Sequence, residues 1–357
     1  MKKLGVVFGC MLGILNAQAQ QNADSVSAKP IPRKVKNVIL MIGDGTGLAQ
    51  WSAAQSKVPQ KLHVFSLAEY LGLSLTSSSN NYITDSGAGA TALSIGEKTF
   101  NYAIGVKSDS TPSFTLSELL HVKGKSTGLV ASCGLTHATP ASFYAHQPSR
   151  KMEKEIANDF YSGFIDVAIG GDYSLFDSSK LQKAGYDKFI CSATPLQNIE
   201  STKFIAFYDT AKHPKKFMDG RGPFLRDASL CAIKNLNKNK NGFFLMIEGS
   251  QIDWGGHEND FNYVVSETLD FDSTIATVVE WAKKDGETLV IITADHETGG
   301  LALNGYDKNT KQAIGAWTTK QHTGIPVPVF AVGPGGELFG GVYENNEIFH
   351  KIMSLFP

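Results

Sequence analysis

The sequence lacks a surplus of positive charge. Lys and Arg total 33 against 34 Asp and Glu, which gives a formal net charge of -1. A chain of this balance has no general positive field with which to hold a nucleic-acid backbone. Only 19% of the 357 residues are charged and 42% are hydrophobic, which excludes a disordered or low-complexity chain. We therefore expect a globular protein without a nucleic-acid-binding surface.

The sequence also lacks an apolar run long enough to span a bilayer. Two lysines near the start precede an apolar stretch from Leu4 to Leu15, and the small-x-small sequence Ala-Gln-Ala follows it. A membrane anchor needs about 20 apolar residues, so this shorter stretch predicts a secretory signal peptide over residues 1–19. An exposed lead-in over residues 20–35 is predicted to follow. These features indicate a periplasmic or secreted protein.

Cysteine is scarce. Removal of the signal peptide leaves Cys133, Cys191 and Cys231, so at most one disulfide can form, and a Cys191–Cys231 pair stays open. Cys133 lies in the apolar run GLVASCGL and has no basic neighbour to lower its pKa. This setting favours a small buried apolar residue over a nucleophile.

Short apolar runs alternate with amphipathic stretches from residue 36 onward. VKNVILMIG, STGLVASCGL, GFFLMIEG, ETLVIITAD and VPVFAVG favour strands, and the alternation predicts βαβ units. Several of these runs are continuously apolar, as a sheet covered on both faces requires. The best helical periodicity runs from Phe261 to Ala282. We predict one α/β domain over 36–357, doubly wound, with a mainly parallel central sheet, helices on both faces and a peripheral excursion over 165–220.

Acidic and histidine residues directly follow the predicted strands, where open α/β sheets bind ligands. Asp44 closes the first strand, although an ordinary helix N-cap is an equal alternative. Asp253 and His257 stand four residues apart, which on a helix aims both side chains at one point, as a shared metal ion requires. A surface carboxylate–imidazole pair is the alternative. Asp295 and His296 follow another buried strand.

A further histidine, His322, precedes the strand VPVFAVG. A lone histidine is usually an ordinary polar residue. His322 is a candidate metal ligand only because the other candidate residues are also present. Together these segments offer three carboxylates and three imidazoles, a set suited to two zinc ions. The six residues are Asp44, Asp253, Asp295, His257, His296 and His322.

Ser86 stands at the start of a predicted helix, in TDSGAGATALSIG. A serine there benefits from the positive helix end and from close access by a phosphoryl group. An ordinary capping serine is the alternative. The sequence has no Gly-x-Ser-x-Gly elbow. Without an evident His–Asp base, a nucleophilic Ser86 must be activated by a metal.

The segment LTHATPASFYAHQPSR contributes His137, Thr139 and Arg150. Thr139 and Glu248, which ends the strand FFLMIE, are hard oxygen ligands that suit Mg²⁺ beside the zinc pair. Arg150 is able to form a forked contact with two phosphate oxygens. Each of these residues taken alone is more often structural.

The ordered segments GDGTG, TDSGAGATAL, THATP, EGSQIDWGGH, ADHETGG and QHTG resemble the alkaline phosphatase family over about residues 36 to 335. The resemblance implies a periplasmic or secreted enzyme that hydrolyses small phosphate monoesters and holds two Zn²⁺ and one Mg²⁺. By position in these motifs Ser86 matches the nucleophile, and Arg150 matches the phosphate-binding arginine. The ligands of one zinc match Asp253, His257 and His322, and those of the other match Asp44, Asp295 and His296.

The resemblance also implies that Asp44 bridges to the magnesium, which Thr139 and Glu248 complete. His137 departs from the pattern, because some members have an aspartate there near the magnesium, so it is predicted to lie beside the metal ligands and not to bind the ion itself. Trp254 also departs, because other members carry Lys or His at this substrate-facing position.

The segment 301–321 is short where larger members insert a crown-like subdomain that supports dimer contacts. The oligomeric state is therefore not carried over from the family.

Two other classes of function remain open at this point. A phosphodiesterase or sulfatase of the same superfamily would keep the zinc ligands, but the Cys/Ser-x-Pro-x-Arg setting of sulfatases is absent around Ser86. A non-catalytic periplasmic protein that binds metal or phosphate would need the ligands but neither Ser86 nor Arg150. The leading expectation is a phosphomonoesterase that acts through a phosphoserine on Ser86, with an alkaline pH optimum.

Overall fold

The structure is a computed structural model that describes residues 34–309 and 312–357. Residues Lys34–Pro357 form one compact unit. The predicted signal peptide (1–19) and nearly all of the predicted lead-in (20–35) lie outside the described residues. Within the described part, no helix has both the length and the apolar character needed to cross a membrane.

A ten-stranded sheet forms the centre of this unit, in the order β14-β2-β13-β8-β1-β7-β3-β4-β6-β5. Strand β13 runs antiparallel to both of its neighbours, and the other adjacent pairs are parallel. The sheet strands are β1 (Asn37–Gly43), β2 (Tyr70–Leu75), β3 (Ser126–Gly134), β4 (Val167–Gly171), β5 (Asp187–Ile190), β6 (Phe204–Phe207), β7 (Phe243–Gly249), β8 (Thr288–Thr293), β13 (Val327–Val332) and β14 (Gly341–Glu344).

Two small antiparallel pairs lie outside the central sheet. Strand β9 (Glu297–Thr298) pairs with β12 (His322–Thr323), and β10 (Leu301–Asp307) pairs with β11 (Gln312–Trp317). The first pair links the segment after β8 to the segment before β13. It therefore brings His322 beside the residues that follow β8.

Helices connect most of the strands. The α-helices are α1 (Leu48–Gln55), α2 (His63–Leu67), α3 (Ser86–Ile95), α4 (Leu116–Val122), α5 (Ala138–Ala141), α6 (Glu153–Asp159), α7 (Ser178–Lys183), α8 (Phe224–Leu236), α9 (Gln251–Glu258), α10 (Phe261–Asp285) and α11 (Glu347–Ser354). Short 3-10 turns cover Phe160–Ser162, Tyr173–Leu175, Leu196–Asn198, Phe217–Asp219 and Gly336–Phe339. The helix predicted from Phe261 begins at that residue and extends to Asp285.

Two hydrophobic cores lie on opposite faces of the sheet. Alternate residues of β1 point to opposite faces, so Leu40 joins one core and Met41 joins the other. Helices α3, α4 and α11 pack in the first core, and α1, α8 and α10 pack in the second. The predicted doubly wound α/β fold, with a mainly parallel sheet covered on both faces, is confirmed.

The segment 165–220 differs from the peripheral excursion that its weak periodicity predicts. Its strands β4, β6 and β5 continue the central sheet beyond β3. The four residues of β6 are all fully buried, although four residues are too few for periodicity to identify a strand. This segment is therefore part of the central sheet.

Candidate active site

Three buried carboxylates lie at the edge of the sheet where the parallel strands end. Strands β7, β1 and β8 are adjacent, and Ile42 of β1 is in register with Glu248 of β7 and Thr293 of β8. Asp44 follows β1, and Asp295 comes two residues after β8. Because these strands end together, Asp44, Glu248 and Asp295 lie at the same edge, at most 1% exposed.

Helix α9 carries the predicted Asp253–His257 pair. Its one-turn spacing brings Nε2 of His257 to 3.4 Å from Oδ1 of Asp253. Nε2 of His322 lies 3.5 Å from the same oxygen and 3.1 Å from Nε2 of His257. Gly45 has a φ of +71°, and a Cβ there would lie 2.8 Å from Cα of Asp253. Glycine thus allows the loop after β1 to approach α9 closely.

A second group of donor atoms surrounds His296. Its Nε2 lies 3.5 Å from Oδ1 of Asp44, 3.3 Å from Oδ2 of Asp295 and 3.2 Å from Oγ of Ser86. Donor atoms of Asp44, Asp253 and His296 all lie within 4.8 Å of one another. The two predicted ligand groups are therefore neighbours, with Asp253 facing both.

The other ring nitrogen of two histidines is held by a backbone carbonyl. Nδ1 of His257 lies 2.6 Å from the carbonyl oxygen of Lys320, and Nδ1 of His322 lies 2.9 Å from that of Thr84. A carbonyl only accepts, so we assign a ring proton to Nδ1 in both histidines. Each Nε2 then faces Asp253, and an Nε2 that faces the other ligands while Nδ1 bonds a carbonyl is the orientation of a metal-ligating histidine.

A third group of donor atoms includes Glu248. Cys133, His137 and Glu248 offer ligand atoms that lie within 4.8 Å of one another. The Cys133 thiol donates to Oε2 of Glu248 at 3.4 Å. Thr139 is fully buried. It is the second residue of α5, the helix that begins directly after His137. His137, predicted only to lie beside the metal ligands, thus belongs to this group by distance.

Cys133 is the residue that sequence reasoning missed here. It is fully buried, as its apolar run predicts, and all three described cysteines are free thiols. Its proximity to Glu248 comes from the pairing of β3 with β7, in which Ala131 is opposite Glu248. Strand order cannot be read from one strand, so the apolar run alone carried no signal of this contact.

Ser86 is the first residue of α3, and Asp85 is the residue that caps this helix. Oδ1 of Asp85 accepts from the backbone N–H of Ala88 at 3.0 Å. The hydroxyl of Ser86 instead faces His296, which excludes the alternative of an ordinary capping serine. Sequence reasoning missed Asp85, although an aspartate before a small-residue helix is a recognisable N-cap signal.

Arg150 reaches the same site from the loop after α5. Its Nη1 donates to Oδ2 of Asp85 at 2.9 Å, and its Nη2 lies 3.4 Å from Nε2 of His137. The backbone N–H of Tyr102 donates to Oδ1 of Asp85 at 2.8 Å. One buried carboxylate therefore orients both the helix of Ser86 and the guanidinium.

These groups line a cavity of about 510 Å³. Trp254 forms part of its wall, and its ring centroid lies 5.0 Å from that of His213 and 5.8 Å from that of His137. The cavity brings the predicted nucleophile, arginine and one ligand group together. Its lining includes Thr84, Asp85, Ser86, Tyr102, His137, Arg150, Asp253, Trp254, His257 and His322.

Burial makes three of the carboxylates hard to ionise. It raises the pKa of Glu248 to about 8 and that of Asp295 to about 7, and it raises the pKa of Asp44 well above its ordinary value. The charges of Asp295 and Asp253 raise the pKa of Asp44 further. Without a cation, ionisation of all three carboxyl groups would therefore bring like charges together.

Asp253 and the histidines show the complementary pattern. Burial opposes ionisation of Asp253, but hydrogen bonding and charge from His322 outweigh it and lower the pKa of Asp253. Burial lowers the pKa of His296 well below its ordinary value, with His322 adding to the effect. Burial, followed by the charge of Arg150, lowers the pKa of His137 to about 3. At neutral pH His137 and His296 are therefore neutral, as metal ligation requires.

Several buried oxygens of the site have no hydrogen-bond partner among the described residues. They are both carboxylate oxygens of Asp44, Oδ2 of Asp295, Oε1 of Glu248 and Oγ1 of Thr139. Buried polar atoms without partners are costly, and buried carboxylates usually pair with cations or bind metals. The donor set of carboxylate, imidazole and hydroxyl groups therefore fits divalent metal ions.

Comparisons with known proteins point to one family. The family model described as Alkaline phosphatase matches residues 35–170, 179–316 and 304–356. Alkaline phosphatase 3 of Bacillus subtilis (strain 168) is 35% identical, with 90% of this chain and 88% of the relative covered. Alkaline phosphatase 4 of the same organism is 33% identical, with 94% and 93% covered.

Solved structures give the same result. The alkaline phosphatase of the Antarctic bacterium TAB5 superposes with a TM-score of 0.86 at 42% identity, over 90% of this chain and 98% of that one. A histidine-to-aspartate variant of the TAB5 enzyme, with Mg bound in the site called M3, has a TM-score of 0.86 at 40% identity. It covers 91% of this chain and 99% of that one.

Proposed function

Because this chain belongs to the alkaline phosphatase family, and so is a metal-dependent phosphomonoesterase, we propose that it works through a phosphoserine formed on Ser86. The observation that carries the proposal is the position of the Ser86 hydroxyl. It lies at the start of α3, 3.2 Å from Nε2 of His296, in the same cavity as Arg150. The hydroxyl therefore lies beside a proposed metal ligand and shares its cavity with a cationic side chain able to bind phosphate.

The proposed metal complement is two Zn²⁺ and one Mg²⁺. One zinc would be held by Asp253, His257 and His322, which converge on Oδ1 of Asp253. The second would be held by Asp44, Asp295 and His296, which converge on Nε2 of His296. These contacts support the ligand sets that the family resemblance implies.

The third ion would be held by Asp44, Thr139 and Glu248, whose unpartnered oxygens are hard donors suited to magnesium. His137 and Cys133 add an imidazole and a thiol beside Glu248. Softer donors favour zinc over magnesium. We therefore propose that this third position binds magnesium less selectively than an all-oxygen site.

The reaction divides into two displacements. When bound, the metal ions would neutralise the carboxylates, favour the deprotonated serine hydroxyl and stabilise the departing oxygen. The Ser86 oxygen forms a bond to phosphorus while the ester P–O bond breaks, and the alcohol leaves with a proton. A water then attacks the phosphoserine, releasing inorganic phosphate and restoring the serine hydroxyl.

Arg150 positions the phosphoryl group in both displacements. Its guanidinium is held by Asp85, and the charge of this carboxylate outweighs burial and raises the pKa of Arg150. A guanidinium can bind two phosphate oxygens at once. Trp254, at the wall of the cavity, would contact the substrate without adding a charge to it.

The same arrangement favours monoesters over the diesters of related enzymes. A monoester dianion presents three nonbridging oxygens to Arg150 and the metal ions, whereas a diester replaces one of them with a bulky neutral group. The amino-terminal sequence pattern supports a periplasmic or secreted location for this activity. An alkaline pH optimum is part of the proposal.

An acid-quench experiment tests the proposed function. The zinc- and magnesium-loaded enzyme is mixed with a labelled aryl phosphate and quenched in acid, and the labelled peptide is identified. We expect phosphate on the peptide that contains Ser86. Label on another peptide, or rapid turnover by Ser86→Ala, would overturn the proposal.

A further inference from the structure

A second cavity lies at the opposite edge of the sheet from Ser86, where the parallel strands begin. It has a volume of about 580 Å³. Its walls come from the segments that precede β1, β3, β7 and β8, together with the end of the chain. The cavity that contains Ser86 lies at the other ends of these strands. The seven residues of β1 alone span roughly 20 Å. The two cavities are therefore separate.

Five lysines line this second cavity, against the single acidic side chain of Glu287. They are Lys34, Lys36, Lys123, Lys125 and Lys240. This local surplus occurs in a chain whose total charge is -1. Within the described residues, Lys125 is the only one of the five whose ammonium group has hydrogen-bond partners. The other four ammonium groups have no hydrogen-bond partner in the part of the chain that the structure describes.

Lys125 anchors the cavity. Its Nζ donates to the carbonyl oxygens of Lys36 at 2.7 Å and Asn241 at 3.0 Å, and lies 4.2 Å from the ring centroid of Phe356. Lys125 is only 9% exposed. Burial, followed by the charges of Lys34 and Lys36, lowers its pKa to about 8. Among the described residues this ammonium donates to backbone carbonyls and not to a carboxylate, and two other cations lie near it.

The loops that carry the lysines are fixed to one another by the backbone. The N–H of Lys36 donates to the carbonyl of Glu287 at 2.8 Å, and the N–H of Ser126 donates to the carbonyl of Gly242 at 3.1 Å. Gly242 has a φ of +89°, and a Cβ there would lie 2.3 Å from the carbonyl oxygen of Lys36. These contacts hold the lysines around a preformed cavity.

We propose that this cavity binds a phosphate-bearing anion at a second site that is independent of hydrolysis at Ser86. Several ammonium groups meeting from different loops suit a compact anion with several charged oxygens. Leu355 and Phe356 supply an apolar wall beside the lysines, which suits the carbon part of a phosphate ester. Such a group could come from a soluble phosphate or from a phospholipid headgroup.

The test compares two charge-matched variants of the metal-loaded enzyme. Lys123→Gln/Lys240→Gln removes two exposed cavity lysines, and Lys154→Gln/Lys183→Gln removes two exposed lysines of α6 and α7. The probes are labelled inorganic phosphate in equilibrium dialysis, and vesicles of phosphatidylcholine with and without phosphatidylglycerol. Turnover of an aryl phosphate reports separately on the site of Ser86.

For a soluble source, we expect the wild-type enzyme and the control to bind one phosphate beyond that at Ser86. The cavity variant should bind it about tenfold more weakly or worse, the effect of losing one charge-assisted contact. For a headgroup, the cavity variant alone should lose binding to the phosphatidylglycerol vesicles. Turnover should be unchanged in both cases.

Three results would overturn the second site. In the first, the binding of neither probe depends on Lys123 and Lys240. In the second, the control variant loses as much binding as the cavity variant. In the third, Arg150→Ala abolishes all binding of phosphate, and the cavity variant binds phosphatidylglycerol vesicles as well as the wild-type enzyme does. None of these results bears on the phosphoserine at Ser86, which the labelling experiment tests by itself.

Discussion

Asp85 holds Arg150 and the helix of Ser86 in one arrangement. Its Oδ2 accepts from Nη1 of Arg150 at 2.9 Å, while its Oδ1 caps α3 through Ala88. The arginine and the proposed nucleophile are thus oriented by two oxygens of the same carboxylate. Loss of this carboxylate would release both groups at once, whereas loss of the guanidinium leaves the helix cap intact.

Arg150→Ala is expected to slow hydrolysis of an aryl phosphate monoester roughly 10- to 150-fold in kcat/KM. The reason is the loss of one charge-assisted contact of about 1.5 to 3 kcal/mol to the third charged oxygen of the monoester. Hydrolysis of a matched aryl diester should fall much less. Steady-state kinetics of both esters provides the measurement. Equal slowing of the two would show that Arg150 does not select monoesters.

Ser86→Ala is expected to lower kcat by at least about a thousandfold, because the reaction loses its nucleophile. The side chain contributes no cap to α3, so the fold and the metal content should stay close to wild type. Turnover and elemental analysis of the same preparation check this together. A large loss of metal would instead indicate that the hydroxyl is needed to hold an ion.

Chelation should abolish activity, and zinc with magnesium should restore it, because ligands come from segments as far apart as Asp44 and His322. Asp253→Ala should lose zinc, since the imidazoles of His257 and His322 both approach its Oδ1. The melting temperature should fall with the metal content. Elemental analysis and calorimetry measure both. Fewer than one zinc per fully active chain would contradict the two-zinc proposal.

The metal-free protein should become less stable as the pH rises from about 6.5 to 8. Burial raises the pKa of Asp295 to about 7 and that of Glu248 to about 8, so the folded chain keeps protons that the unfolded chain has already lost. The free energy of unfolding then falls by at most about 1.4 kcal/mol per pH unit for each such proton. Buried histidines with lowered pKa values, such as His296, oppose this trend only below their ordinary pKa of 6.5.

Denaturant unfolding in the presence of a chelator checks the direction of this pH dependence. Glu248→Gln, which has no titrating carboxyl group, should show a shallower fall over the same range. The metal-loaded enzyme should show no comparable fall, since its carboxylates are neutralised by the ions. A metal-free wild type whose stability rises with pH would contradict the raised pKa values.

Cys133→Ala should alter the metal preference of the third position. The Cys133 thiol lies 3.4 Å from Oε2 of Glu248, and its loss removes a soft donor while the hard oxygens stay. We expect less zinc and more magnesium at this position after dialysis against both ions. Elemental analysis of protein loaded with three metal ions per chain measures the ratio of zinc to magnesium. An unchanged ratio would show that the thiol takes no part in metal selection.

Much of the fold and of the site could be predicted because the evidence was local. Strand β1 is a continuous apolar run, and α10 has a clear 3.6-residue period, so both were correct in type and place. The one-turn spacing of Asp253 and His257 likewise needs only helical geometry. The coarse position of Asp44 and Asp295 followed from their place directly after buried strands.

The elements that were missed depend on distant contacts. Strand β2 (Tyr70–Leu75) begins with exposed residues, and β6 has only four residues, so neither has a distinctive period. The thiol of Cys133 meets Glu248 only because β3 lies beside β7 in the sheet. Such neighbours are set by strand order, which sequence periodicity does not contain.

The order of strands across the sheet also constrains when the proposed metal centre can assemble. Strand β1 is separated in the chain from its two sheet neighbours, β7 and β8, by about 200 residues and more, and His322 arrives still later through the pairing of β12 with β9. Contacts of such long range close late in folding. Zinc capture therefore reports on nearly complete folding: a chain truncated before β12 would lack a ligand even if its earlier helices had formed.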